Sequence, residues 1–70
     1  MNSRRNQAFE VRDDSGEDAL VVLAPGWRDA VEIYVRTHGV GGYWQWLQDG
    51  GSPLVVYDQR GIAINQPLWN

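Results

Sequence analysis

Residues 43–52 read Tyr43-Trp44-Gln45-Trp46-Leu47-Gln48-Asp49-Gly50-Gly51-Ser52, and a second turn-like segment, Asp58-Gln59-Arg60-Gly61-Ile62, follows shortly after. Each places a glycine where a hairpin loop needs a left-handed residue. That spacing predicts two type I turns with G1 bulges, Gly51 closing Gln48 against Ser52 and Gly61 closing Asp58 against Ile62. Counting outward sets Trp46 opposite Leu54 and Trp44 opposite Val56. On the next pair, Val56 faces Ile64 and Asp58 faces Ile62. One sheet face then collects Trp44, Trp46, Leu54, Val56, Ile62 and Ile64. The other collects Tyr43, Gln45, Leu47, Val55, Tyr57, Ala63 and Asn65. A two-residue Asp49-Gly50 turn would reverse the assignment and expose Trp44 and Trp46.

Working outward, Gln7 to Asp13 alternates, with Phe9 and Val11 on one side and Ala8, Glu10 and Arg12 on the other, the pattern of a half-buried strand. Residues 14–17 form a turn. The run Ala19-Leu20-Val21-Val22-Leu23 has little polar face and reads as a central strand. Pro25-Gly26 ends it. From Trp27 to His38 the apolar residues fall on one broad side of a helix, Asp29 suits its first turn and Gly39 supplies a left-handed stop. Strands at about 43–48, 53–58 and 62–66 complete a ββαβββ order, and Pro67 begins a tail. The expected fold class is α+β: a small antiparallel sheet with one amphipathic helix on one face. Residues 1–7 form a flexible arm and residues 8–70 a single domain.

The chain has 70 residues, no cysteine, four tryptophans, three tyrosines and one phenylalanine. A chain this short buries only about 60% of the surface its unfolded form exposes, so it needs dense packing, cross-links or self-association. Disulfides are excluded, and with His38 as the sole Cys/His-type ligand a structural zinc is not expected. Aromatic packing fills the need, with Trp27, Trp44 and Trp46 expected between helix and sheet. The net charge of −3 repels phosphate backbones, which argues against nucleic acid as a partner. No apolar run is long enough to cross a membrane and the polar start is no secretory signal, which leaves a cytoplasmic location as the default.

Two surfaces are candidate partner sites. Tyr43, Gln45, Val55, Tyr57 and Asn65 make a sheet face richer in tyrosine than solvation requires, and tyrosine suits interfaces because it joins apolar area to a hydroxyl. An ordinary solvated sheet face is the competing reading. Glu10, Asp13, Asp14, Glu17 and Asp18 set five acids against one arginine, a docking patch for a basic partner if it is more than a solvated turn. The spacing of acids and glycines does not match a calcium loop. No nucleophile motif or phosphate-binding glycine loop is present, so no catalytic residue, metal or cofactor is assigned.

In size, acidity and element order, strand Asp18–Ala24, helix Trp27–His38 and a meander over Tyr43–Gln66, the chain resembles small phage-encoded inhibitors, including anti-CRISPR proteins. The resemblance implies a non-enzymatic protein-binding module that occludes a host defence or regulatory complex. Two other classes stay open. One is a single-stranded nucleic-acid binder using sheet aromatics and the Arg4/Arg5 arm; the other is a homodimeric structural accessory.

Overall fold

The computed structural model describes residues 5–13 and 18–64. Strands β1 (Gln7–Arg12) and β2 (Ala19–Ala24) come first, then helices α1 (Trp27–Thr37) and α2 (Tyr43–Gln48), then a short strand β3 (Val55–Tyr57). The fold class is α+β, with one three-stranded antiparallel sheet in the order β2-β1-β3. The turn at 14–17, the Arg4 end of the arm, Asn65 and the tail lie outside the described residues.

The alternation of β1 dictates the layers. Phe9 faces Val22 and Val11 faces Leu20 on one side and Val56 on the other. Phe9, Val11, Val22, Ala24 and Val56 are all buried, and α1 covers them with Ala30, Val31, Tyr34 and Val35. The helix spans the predicted residues. Gly26 accepts the first helical bond from the Ala30 N–H, at 3.1 Å. At the other end the Gly39 N–H donates to Arg36 O and the Val40 N–H to Val35 O, with Gly39 at φ +83°. This is a Schellman stop, and Val40 packs back against the core with Val35 as that motif favours.

The segment expected to be a strand at 43–48 is a helix. Tyr43, Trp46 and Leu47 sit at i, i+3 and i+4, so helical winding turns all three inward, and all three are half-buried. The left-handed glycine is Gly50, at φ +90°, and not Gly51. Gly50 N–H donates to Leu47 O and Gly51 N–H to Trp46 O, so the two glycines end a helix in a second Schellman stop. Gly51 is required for a different reason: a Cβ there would lie 2.5 Å from the Trp46 indole nitrogen. The indole N–H donates to Ser52 O at 2.7 Å, and the Tyr43 hydroxyl accepts the Leu54 N–H at 3.1 Å. Residues 51–54 thus run back along α2 and satisfy its aromatic polar atoms. At the front of α2, Glu32 of α1 accepts the Tyr43 backbone N–H at 3.4 Å and so caps the helix from outside.

The paired face of Trp44, Trp46, Leu54 and Val56 therefore does not form. Trp44 is 74% exposed, while Trp46 and Trp27 each pack, half-buried, at the core margin. The second turn forms as expected: Gly61 has φ +81°, Asp58 N–H donates to Ile62 O and Ile64 N–H to Val56 O. The register is the counted one, although pairing shrinks to a bridge between Tyr57 and Ala63 and no strand extends over 62–64. The remaining correction concerns β2, which is an edge strand and not a central one. β3 takes the far side of β1, where Val56 meets Val11, and leaves the outer edge of β2 without a strand among the described residues.

Candidate functional site: the open face and edge of the sheet

The alternation that buries Phe9, Val11 and Val22 turns their neighbours the other way. Ala8, Glu10 and Arg12 from β1, Ala19, Val21 and Leu23 from β2, and Val55 and Tyr57 from β3 share the face opposite α1. Cross-strand rows follow from the register. Val21, Glu10 and Tyr57 form one, Ala19, Arg12 and Val55 the next, and Leu23 stands beside Ala8. Val21 is 66% and Leu23 65% exposed, although both lie in the middle of regular structure. Neither helix packs on them.

A polar seam runs down the centre of this face. Arg12 Nε donates to Glu10 Oε2 at 3.0 Å, and the guanidinium lies 5.1 Å from the Tyr57 ring centroid. The hydrogen bond from Arg12 to Glu10 raises the arginine pKa, so the guanidinium stays charged. Stacking on Arg12 and the Ala63 bridge leave Tyr57 half-buried. The aliphatic pair on β2 has no such cover.

The edge of β2 carries backbone groups as well. The Asp13 N–H donates to Asp18 O at 3.3 Å, which sets the phase of the hairpin ladder. Pairs two residues apart share that phase, so Leu20, Val22 and Ala24 direct their N–H and C=O groups toward β1. Ala19, Val21 and Leu23 direct theirs to the outer edge.

A second cluster ties the β1–β2 hairpin to the end of α1. His38 Nδ1 lies 2.8 Å from Tyr34 O and Nε2 lies 2.6 Å from Asp18 Oδ2. Both partners are acceptors, so only the doubly protonated ring donates to each. Tyr34 OH donates to the same Asp18 oxygen at 3.1 Å. The rings of Tyr34 and His38 stack at 4.3 Å, and Trp46 meets both edge-on. The bonds to Tyr34 O and Asp18 raise the imidazole pKa, and the bonds from His38 and Tyr34 lower that of Asp18. Burial, helped by the Asp18 charge, pushes the Tyr34 phenol up to about 12. This arrangement is a clamp between hairpin and helix.

The predicted site residues divide accordingly. Val55 and Tyr57 do share the outer face. Tyr43 and Gln45 do not join them, because helical winding places them on α2. Tyr43 is half-buried, with burial raising its phenol pKa, while Gln45 Nε2 donates to Asp49 Oδ1 at 2.9 Å. Asn65 lies outside the described residues. Of the acids, Glu10 pairs with Arg12, Asp18 is held by the clamp and Asp13 sits half-buried beside it, while Asp14 and Glu17 lie outside the described residues. An all-aliphatic run reads as covered on both sides, which hides Val21 and Leu23; the hairpin register separates them, because Phe9 and Val11 pair with Val22 and Leu20 while Val21 and Leu23 pair with Glu10 and Ala8.

Among the described residues there is no cluster of three potential metal ligands, and no helix is long and apolar enough to cross a membrane. The chain matches no family model, no characterised protein and no solved structure.

Proposed function

We propose that this chain is a non-enzymatic protein-binding module that acts by occluding a partner's surface with the open face of its sheet. One observation carries the reading: Val21 and Leu23, two large aliphatics in a regular strand, are each about two-thirds exposed on a face that neither helix covers. Burying such side chains contributes roughly 1.5–3 kcal/mol apiece, a gain that a partner supplies where the fold does not. The Glu10–Arg12–Tyr57 seam beside them adds an aromatic, an arginine and a charge pair, the composition of a contact surface with a polar margin. The net charge of −3 favours a basic partner over an acidic one.

Capture from extracts of the native host tests the reading. Wild-type chain retains a defined partner, and Leu23→Arg, a change at an exposed position, loses it while its circular dichroism and melting temperature stay unchanged. An identical set of captured proteins for both chains contradicts the proposal.

A second reading has one observation in its favour. Trp44, 74% exposed on α2, offers a stacking surface for a nucleic-acid base. The net charge of −3 opposes it. Oligonucleotide titration at low salt decides: quenching of tryptophan fluorescence that Trp44→Ala abolishes supports base stacking, and unchanged fluorescence removes it.

A further inference from the structure

We infer that β2 is a self-association edge, on which a second copy of the chain adds its own β2 antiparallel about a two-fold axis through Val21. The inference goes beyond the docking face proposed above, because it rests on the strand's backbone edge and not on the face alone.

Proteins protect exposed sheet edges with charge, proline, bulges or covering segments. Ala19–Ala24 has none of these devices among the described residues: every residue is uncharged and the strand is regular along its length. It is also the longest run of unpaired ladder positions in the described fold, because β3 and its bridge to Ala63 occupy the other side of the sheet.

The chemistry selects one register. A two-fold axis normal to the sheet pairs residue i of one copy with the residue of the other copy for which the two numbers sum to an even constant. The outward backbone groups belong to Ala19, Val21 and Leu23. Only centring on Val21 pairs all of them with one another: Val21 with Val21 of the second copy, Ala19 with Leu23 and Leu23 with Ala19. Centring one step toward Ala24 would leave Pro25, which lacks an N–H, at a hydrogen-bonding position. Centring one step toward Ala19 would pair Ala19 with Val21 but leave Leu23 opposite no residue of β2, and so lose a pair.

The chosen register is complementary on both faces as well. On the outer face the exposed Val21 meets its counterpart and Leu23 meets Ala19. On the inner face half-buried Leu20 meets Val22 of the second copy. Asp18 lies opposite Ala24, so no acid opposes another despite a net charge of −3 per chain. Each copy uses the same patch, which closes the assembly at two and consumes the edge. The two three-stranded sheets become one continuous sheet, with the Glu10–Arg12–Tyr57 seams flanking a shared aliphatic strip.

Charge reversal at the axis tests this. In sedimentation equilibrium, wild type runs at twice the 7.9 kDa chain mass. Val21→Lys and Val21→Glu each run at the single-chain mass with unchanged circular dichroism, because each opposes its own charge across the axis. Mixing the two restores the double mass, since lysine then faces glutamate. A wild type at single mass overturns the inference, as do variants that both stay dimeric or a mixture that stays monomeric. If wild type is monomeric yet Leu23→Arg still abolishes partner capture, self-association is refuted and the binding-module reading stands. If the charge-swap pattern appears while capture is unaffected by Leu23→Arg, the reverse holds.

Discussion

His38 shows how one side chain couples two elements of a small fold. Its ring donates to the end of α1 and to Asp18 on the hairpin, and it packs against both Tyr34 and Trp46. The folded-state pKa of His38 is raised above 6.5, so its contribution is complete below that value and lost as pH rises through the folded pKa. The folded-state pKa of Asp18 is lowered below 3.8, so its contribution is complete above that value and lost as pH falls through the folded pKa. Asp13 also raises His38, and Tyr34 titrates too far up to intervene. The clamp is therefore complete between about pH 4 and 6.5. Thermal melts of wild type and Asp18→Asn differ most near pH 5, and the difference shrinks as pH rises through the folded-state pKa of His38. A constant difference from pH 5 to 9 would show that His38 does not titrate against Asp18.

At the scale of elements, α2 is where local and tertiary signals part. Its identity depends on two adjacent glycines with different jobs: Gly50 takes the left-handed stop and Gly51 gives room to the Trp46 indole. Gly51→Ala drives a methyl into that ring and costs about 1–3 kcal/mol, as overpacking does. Urea unfolding measures the loss, and an unchanged midpoint would mean that the indole does not rest on Gly51. The first strands, α1 with its glycine stop and the Asp58–Ile62 turn with its register were legible because each rests on local chemistry: alternation, capping and a left-handed glycine. The helix at 43–48 was not. Two aromatic residues in alternation suit a strand, the triple Tyr43, Trp46 and Leu47 suits a helix, and six residues decide nothing by propensity. What decides is distant: Ser52 O, the Leu54 N–H and Glu32 on α1 satisfy the segment only when it is wound. With that helix the meander over 43–66, on which the resemblance to phage inhibitors was drawn, gives way to helix, short strand and bridge.

For the molecule as a whole, abundant aromatics predict a tryptophan core, but the core on one sheet face under α1 is mainly aliphatic, with Phe9 and Tyr34 as its buried aromatics among the described residues and Trp27 and Trp46 at its margin. The sheet places its longest aliphatic strand at the edge, where its neighbours cover only one side. Val55 and Tyr57 were assigned to the open face by the count from Gly61, while Val21 and Leu23 were hidden by the uniformity of their own strand. The account locates the working surface on that face and edge, away from α2 with its exposed Trp44. Hydrogen–deuterium exchange of the chain alone and bound to its captured partner tests this most directly. The outward amides of Ala19, Val21 and Leu23 are predicted to exchange slowly already in the chain alone, held by the second copy, and partner binding to slow exchange across Glu10–Arg12 and Val55–Tyr57, with 43–48 unchanged. Fast exchange at those β2 amides in the chain alone, or binding protection concentrated on 43–48 with Val55–Tyr57 exchanging as before, would contradict it.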